Sequence, residues 1–292
     1  MYFQQVLIMG ANKVACDCVN LLKDKMGKEC LFVLETADER LSMLGAVCKK
    51  NGVFYSKRKD SVSITSFLES FIPEKITLII SANNRYIFPK RILNSRNILV
   101  INFHYALLPD YRGMNIPSWV IFNNENKTGI TWHVVDDQID HGEIIAQRQM
   151  MLTEKTTAFD IVRWGMNNAV QLLGEFIDLL LTFGTVDTHS LDYEQGKIYY
   201  NNKIPLSGVL DLSASIDVIC RTLRAYDYKG LPLLPRLKIV DGANEFDVLR
   251  YEIKKMEFDC NNREVVREND SISICEKGTK IRIILSTRIK AE

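Results

Sequence analysis

What the 292-residue chain lacks narrows its class before any motif is read. No apolar run approaches the ~18 residues that span a bilayer. The start, MYFQQVLIMG, has neither the basic region nor the small-residue cleavage site of a signal peptide. A cytoplasmic chain with no membrane partner is therefore expected. Charge of one sign is not in excess: 37 Lys and Arg stand against 36 Asp and Glu, a formal net charge of +1, so there is no general pull toward nucleic acid or anionic lipid. There is no CxxC pair, and seven Cys, an odd number, fit reduced thiols better than a disulfide framework. Cys16 and Cys18 are the one close pair and would project to different sides of a helix; without paired Cys/His spacings no metal site is expected. No internal repeat or low-complexity segment occurs, and there are only four His, at 104, 133, 141 and 189.

The first half alternates short apolar runs with helix-like stretches, the pattern of a parallel sheet covered by helices. VLIM at 6–9 ending in Gly10, CLFVLE near Leu31, a short run at 53–55 and ITLIIS at 76–81 read as strands. Helices are expected over 14–25, through LSMLGAVCKK and over SITSFLESF, the last stopped by Pro73. Such continuous apolar runs suit central strands buried on both faces. ILVINFH at 98–104 and KTGITWHVVD at 127–136 continue the strands, and 156–183 keeps the helical period over a long span. Gly10 has no second and third glycine of a dinucleotide loop, and no acidic residue cleanly ends the second strand, so Gly10 reads as a structural turn. From 186 to 205 the chain is polar, Tyr/Asn-rich and broken by Gly and Pro, as in a linker. Beyond it SASIDVICRTLRAYDY reads as a helix capped by Ser213 or Ser215, followed by five stretches of alternating residues. The expected fold class is α/β: a sheet domain over 1–185, a linker over 186–205 and a small β-rich C-terminal domain over 206–292. Toward the C-terminus acids interleave the Lys and Arg, which describes a solvated β surface and not a nucleic-acid face.

The residues with chemistry stand at strand exits. Asn102 and His104 lie two apart at the carboxyl end of ILVINFH, the end of the strand where open α/β sheets bind ligands. Downstream, TGITWHVVDDQIDHGEI supplies Asp136, Asp137 and Asp140, with Gly142 permitting a tight turn. An acid beside an imidazole holds its tautomer and raises its pKa, so that it passes protons near neutral pH. An amide beside both can donate to an oxygen that becomes negative as a carbonyl is attacked. Asn, His and Asp together fit acyl transfer, and with no Ser or Cys nucleophile in either segment the transfer would be direct from donor to acceptor. His133 reads as a holder of the loop that bears Asp140, His141 as solvent-facing, and Trp119 and Trp132 as core before substrate platforms. Arg112 either steers an anionic phosphate or braces its turn.

NFHYALLPDYRG and TGITWHVVDDQIDHGEI together resemble the formyltransferases that use N10-formyltetrahydrofolate, among them the glycinamide ribonucleotide, methionyl-tRNA and sugar-nucleotide enzymes. The family's pattern is matched by Asn102, His104, Leu107, Leu108, Pro109, Arg112 and Gly113, and its second-segment acid by Asp140, following His133. The resemblance implies a Rossmann-like, mostly parallel catalytic domain over about residues 1 to 180, with a smaller β-rich C-terminal domain of the kind several members carry. It implies that Asn102 steadies the formyl oxygen, that His104 is the general acid/base, and that Asp140 orients His104 and orders a proton-relaying water. It implies a pterin against the backbone of NNRYIFP at Tyr86 and Ile87, and against the VVDDQID loop through Val135, Asp137 and Asp140. Arg112 and Trp132 are the expected acceptor contacts, N10-formyltetrahydrofolate the co-substrate, and no metal takes part. Ala106 stands where many members have Ser, while PSW and TWH look most like formyltransferases acting on amino sugars or carrier-bound amino acids. A nucleotide-linked amino sugar is thus the expected acceptor. The alternatives are methionyl-tRNA, an amino acid such as hydroxyornithine, a carrier-bound amino acid and, in another class, a folate-binding module without turnover. The C-terminal unit would serve acceptor binding or a homodimer, and its alternating strands do not choose.

Overall fold

The computed structural model describes every residue except 37–41, 194–195, 243, 257–261, 269, 287–288 and 291–292, and the side chains of 289–290. In chain order the first elements are β1 (Gln5–Gly10), α1 (Asn12–Met26), β2 (Leu31–Glu35), α2 (Leu44–Asn51), β3 (Phe54–Lys57), α3 (Ser61–Phe71) and β4 (Thr77–Ala82). Then come α4 (Lys90–Leu93), β5 (Ile98–His104), β6 (Arg112–Gly113), α5 (Ile116–Phe122), β7 (Lys127–Val134), β8 (Ile144–Met151) and α6 (Ala158–Phe183). The chain divides into two compact units: Met1–Gly113, Thr128–Met150 and Val162–Ile198 form the first, and Met114–Lys127, Met151–Ile161 and Tyr199–Glu292 the second.

The first unit holds a seven-stranded sheet in the order β3-β2-β1-β4-β5-β7-β8. From β3 to β5 every pairing is parallel, and β7 joins β5 antiparallel. Every residue of β1 and β4 is buried. Side chains alternate across a strand, and the packing follows: Val6 and Ile8 join the cluster formed by α1 and α6, while Leu7 and Met9 join the one formed by Ile64, Leu68 and Ile72. An apolar residue at every position is what a strand covered on both faces requires. The strand β8 and the short helix α5 lie outside the expected elements. IIAQRQMM is mostly half-exposed at the sheet edge, and IPSWVIF is too short to show a period, although Pro117 near its start is compatible with a helix N-terminus.

Gly10 is required by close packing. A Cβ there would lie 1.9 Å from the carbonyl oxygen of Ala82, at φ +150°. One expectation is corrected here, because an acid does end the second strand. Glu35 is fully buried at the last position of β2. Its carboxylate is taken up by Lys57 Nζ (2.9 Å), Tyr55 OH (2.8 Å) and Ser42 Oγ (3.0 Å), so its charge is balanced within the chain. Cys16, Cys18, Cys30, Cys48 and Cys220 are free thiols, whereas Cys275 is disulfide-bonded, which departs from the expectation of reduced thiols throughout.

The second unit contains α5, α7 (Ile216–Ala225) and an antiparallel sheet. After β9 (Ile198–Tyr199), its strands are β10 (Lys238–Asp241), β11 (Asn244–Lys255), β12 (Glu264–Arg267), β13 (Ser271–Glu276), β14 (Thr279–Leu285) and β15 (Ile289–Lys290). They run β10-β11-β14-β13-β12, with β15 against β11. Ile219 and Leu223 of α7 bury against Ile272, Ile274, Ile281 and Ile283, the inward-facing alternate positions of β13 and β14. Ser118 of α5 donates to the Ala225 carbonyl (2.7 Å) and meets Tyr228 OH (2.7 Å). Among the described residues no helix is long and apolar enough to cross a membrane.

Candidate functional site

Sheet register assembles the site. Asn102 on β5 lies opposite Ser81 of β4 on one side and opposite His133 of β7 on the other. Directly paired residues share a face, as do residues two apart on one strand, so Ser81, Asn102, His133 and His104 project together. Asp140 arrives from the loop between β7 and β8. Its φ of 44° is left-handed, a conformation Asp tolerates better than most residues. The loop closes at Gly142, where a Cβ would stand 1.9 Å from the Val134 carbonyl oxygen.

The structure brings Asn102, His104 and Asp140 together. Asp140 Oδ2 is 3.4 Å from His104 Nδ1, and Oδ1 is 3.4 Å from Asn102 Nδ2 and 3.5 Å from His133 Nε2. The Leu-Leu-Pro and Arg-Gly turn contributes through its backbone. The Tyr111 carbonyl lies 2.8 Å from His104 Nε2, and the Gly113 N–H donates to Asp140 Oδ2 at 2.8 Å. The turn is itself tied to β7 and β8: Thr131 Oγ1 donates to the Ala106 carbonyl (2.7 Å), and Gln147 Nε2 donates to Leu108 O and Thr131 Oγ1 (both 2.9 Å). Both ring nitrogens of His104 thus face groups that accept, an arrangement that an imidazolium satisfies at both ends.

Burial by itself would raise the Asp140 pKa. The His104 charge, the hydrogen bond and charge of His133 and the Gly113 N–H outweigh it and hold the carboxyl well below the usual carboxylate range. Asp140 is the fixed negative charge of the cluster.

The other expected contacts are spread around this centre. Tyr86 turns its ring against Phe88 (centroids 5.1 Å apart) and its hydroxyl to Thr65 Oγ1 (2.7 Å), while Ile87 is exposed. Val135 donates its N–H to the Val100 carbonyl (2.9 Å) and packs on the cluster around Leu7 and Met9. The Asp137 carboxylate is paired with Lys90 (2.5 Å) and kept below its ordinary pKa by that partner. Arg112 is buried; its Nη2 donates to Gly196 O (3.1 Å), its guanidinium lies over the Tyr193 ring (5.5 Å), and its Nε has no partner among the described residues. Arg112, Gln138, His141, Leu191, Asp192 and Tyr193 line a cavity of about 380 Å³. His141 corrects an expectation: it is half-buried, paired with Asp136 (2.7 Å) and set against Tyr193 at 4.4 Å between centroids.

Trp132 is core. It has no exposed surface to offer a substrate, donates Nε1–H to the Ala169 carbonyl (2.8 Å) and packs against Phe103 and Phe176. Trp132→Phe is therefore expected to leave the KM of either substrate unchanged and to lower unfolding free energy by about 1–3 kcal/mol, as the carbonyl loses its donor. Steady-state kinetics and urea unfolding check the two halves.

Sequence reasoning missed Ser81, whose hydroxyl donates to Asn102 Oδ1 (2.7 Å), Asn84, whose Nδ2 lies 3.4 Å from Ser81 Oγ, and the Tyr111 carbonyl. Ser81 shows itself only once β4 and β5 are aligned, and a carbonyl carries no side-chain signature.

The model of the formyl transferase family matches residues 6–176. The GDP-perosamine N-formyltransferase of Brucella melitensis is 32% identical over 193 residues, covering 66% of this chain and 71% of that protein. Among solved structures, WlaRD, a sugar 3N-formyl transferase crystallised in the presence of dTDP and 5-N-formyl-THF, superposes with a TM-score of 0.76 at 16% identity, covering 98% of each chain. The N-formyltransferase of Helicobacter canadensis, in complex with folinic acid and dTDP-3-aminofucose, gives a TM-score of 0.75 at 18% identity, covering 97% of this chain and 99% of that one.

Proposed function

Because the chain belongs to the formyl transferase family, we propose that it transfers a formyl group from N10-formyltetrahydrofolate to the primary amine of a nucleotide-linked amino sugar. One observation carries the reading: Asp140 reaches across from a separate loop to the Asn102 and His104 row, inside the segment the family model matches. The substrate class is supported by the Brucella relative and by the two sugar enzymes that share the fold.

The residues suit the co-substrate's reacting end. The donor presents an electrophilic formyl carbonyl on a nitrogen that can depart as a neutral amine. Asn102 offers Nδ2–H through bonds of 3.1 and 3.4 Å, long enough for a carbonyl oxygen to displace one of them. Asn102 and His104 stabilise the charge that develops on that oxygen as the amine attacks. His104 gives its proton to the departing nitrogen and recovers the one that the attacking amine gives up, while the Asp140 carboxylate holds the ring and balances its positive charge. Ser81 is no acyl acceptor here, since its hydroxyl proton is given to Asn102 Oδ1 at 2.7 Å. The loop with Tyr86 and Ile87 and the loop with Val135 and Asp137 form the pterin edge in this reading, and Arg112 presents a cation at the cavity it lines with Gln138 and His141, for an anionic acceptor.

The test incubates the enzyme with N10-formyltetrahydrofolate and a panel of GDP- and dTDP-linked amino sugars, followed by mass spectrometry. The expected result is a product heavier than its sugar by one carbonyl unit, with loss of the formyl donor. Formylation of methionyl-tRNA with no sugar in the panel modified would overturn the acceptor class, and donor binding without transfer to any amine would overturn the catalytic reading.

A further inference from the structure

Resting on the assignment of Asn102 as the amide that meets the formyl oxygen, we propose that Ser81 and Asn84 are positioning residues. With Asp140 on the other side, they fix the direction of the Asn102 amide, so that its NH2 end and not its oxygen faces the reacting carbonyl.

The two ends of an asparagine amide are nearly identical in shape, so a site can tell them apart only by polarity. Two groups near Asn102 have a fixed polarity. The first is the Tyr86 N–H, which only donates, and it donates to Asn84 Oδ1 at 3.1 Å. Thr36 Oγ1 donates to the same oxygen at 2.7 Å. With its oxygen so engaged, Asn84 turns Nδ2 toward Ser81 Oγ, 3.4 Å away. The Ser81 hydroxyl accepts on that side and gives its own proton to Asn102 Oδ1 at 2.7 Å.

The second is the Asp140 carboxylate, whose oxygens accept: Oδ2 takes the Gly113 N–H at 2.8 Å, and Oδ1 lies 3.4 Å from Asn102 Nδ2. A reversed amide would set its oxygen against that carboxylate. It would also press a second N–H donor on Ser81, whose own proton would lose its acceptor. Ser81 and His133 are each 2% exposed, so little water is at hand to repair such a mismatch. Both ends of the relay therefore dictate one direction, and the register that pairs Ser81 with Asn102 builds one of them into the sheet.

The test measures kcat and KM for Ser81→Ala, Ser81→Thr and Asn84→Asp, each also in an Asn102→Ala background. Asn84→Asp places an acceptor where Nδ2 stood, so the Ser81 hydroxyl turns toward it and releases Asn102. In Ser81→Ala and Asn84→Asp, kcat is expected to fall about tenfold or more with KM changed less than about twofold, while Ser81→Thr restores most of the rate. Neither loss should recur in Asn102→Ala, where no amide remains to be aimed. Wild-type kcat in Ser81→Ala, or losses that multiply with that of Asn102→Ala, would overturn the proposal. A second readout needs no turnover: the Asn102 side-chain amide, identified in a 15N–1H spectrum by its disappearance in Asn102→Ala. It is expected as a slowly exchanging pair in the wild type and as a rapidly exchanging one in Ser81→Ala and Asn84→Asp. An unchanged pair in both variants refutes the positioning role even if the enzyme proves active. A protected pair lost in both variants, in a protein that formylates no amino sugar, refutes the proposed function and leaves the positioning intact.

Discussion

Asn102→Ala and His104→Ala are each expected to lower kcat for formyl transfer by about 10²-fold or more, with the fall in kcat/KM of similar size. The equality follows from when the contacts are made. An amide N–H aimed at a carbonyl oxygen gains most as that oxygen becomes an anion, so its removal weakens the transition state more than the bound ground state. Asn102→Ala also strands the Ser81 hydroxyl and His133 Nε2, both buried, and is expected to lower unfolding free energy by about 1–3 kcal/mol. His104→Ala leaves the Tyr111 carbonyl and one oxygen of Asp140 without the imidazole between them. Stopped assays over single turnovers separate these rate effects from product release, and circular dichroism melts show that both variants fold. Near-normal rates in either variant would remove that residue from the chemistry.

Much of the fold was legible because its signals are local. The unbroken apolar run of β1 announces a strand buried on both faces, the long period of 156–183 announces α6, and the C-terminal strands alternate as a one-faced sheet does. The segments that were not legible take their structure from distant partners. Residues 186–198, polar enough to read as a linker, lie within the first unit, where Tyr193 donates its hydroxyl to the Gly142 carbonyl at 2.8 Å and packs with Leu108 and Ile144. At the site, Asn102, His104 and Asp140 could be proposed because side-chain chemistry is written in the sequence. Ser81, Asn84 and the two backbone groups of the turn could not, because strand register and turn conformation decide what they meet. Trp132 illustrates the opposite error: an aromatic beside a functional His attracts a ligand role, yet its face of β7 points into the core.

Asp140→Asn is expected to lose stability and turnover together, with a pH dependence that separates the two causes. The wild-type carboxyl has its pKa held well below the usual range, burial opposing the shift and His104, His133 and the Gly113 N–H producing it. A carboxyl depressed in the native state contributes stability that is fully present above its unfolded pKa of about 3.9 and is lost as pH falls through the lower native value. The variant lacks this contribution at every pH. Urea unfolding should therefore show the wild type ahead by on the order of 2–3 kcal/mol above about pH 5, with the gap narrowing as the pH drops below about 4. A gap that widened toward acid would contradict the assigned balance of charge. For turnover, an amide at 140 has a single accepting oxygen to divide between the Gly113 N–H and His104 Nδ1, and its NH2 group would confront whichever is left. His104 loses the anion that balances its positive form, so kcat is expected to fall by about 10²-fold or more, and raising the pH should not recover it, because the missing charge has no titrating replacement. Full activity in a folded Asp140→Asn enzyme would take the carboxylate out of the proton path and leave it a purely structural anchor for the turn that ends at Gly113.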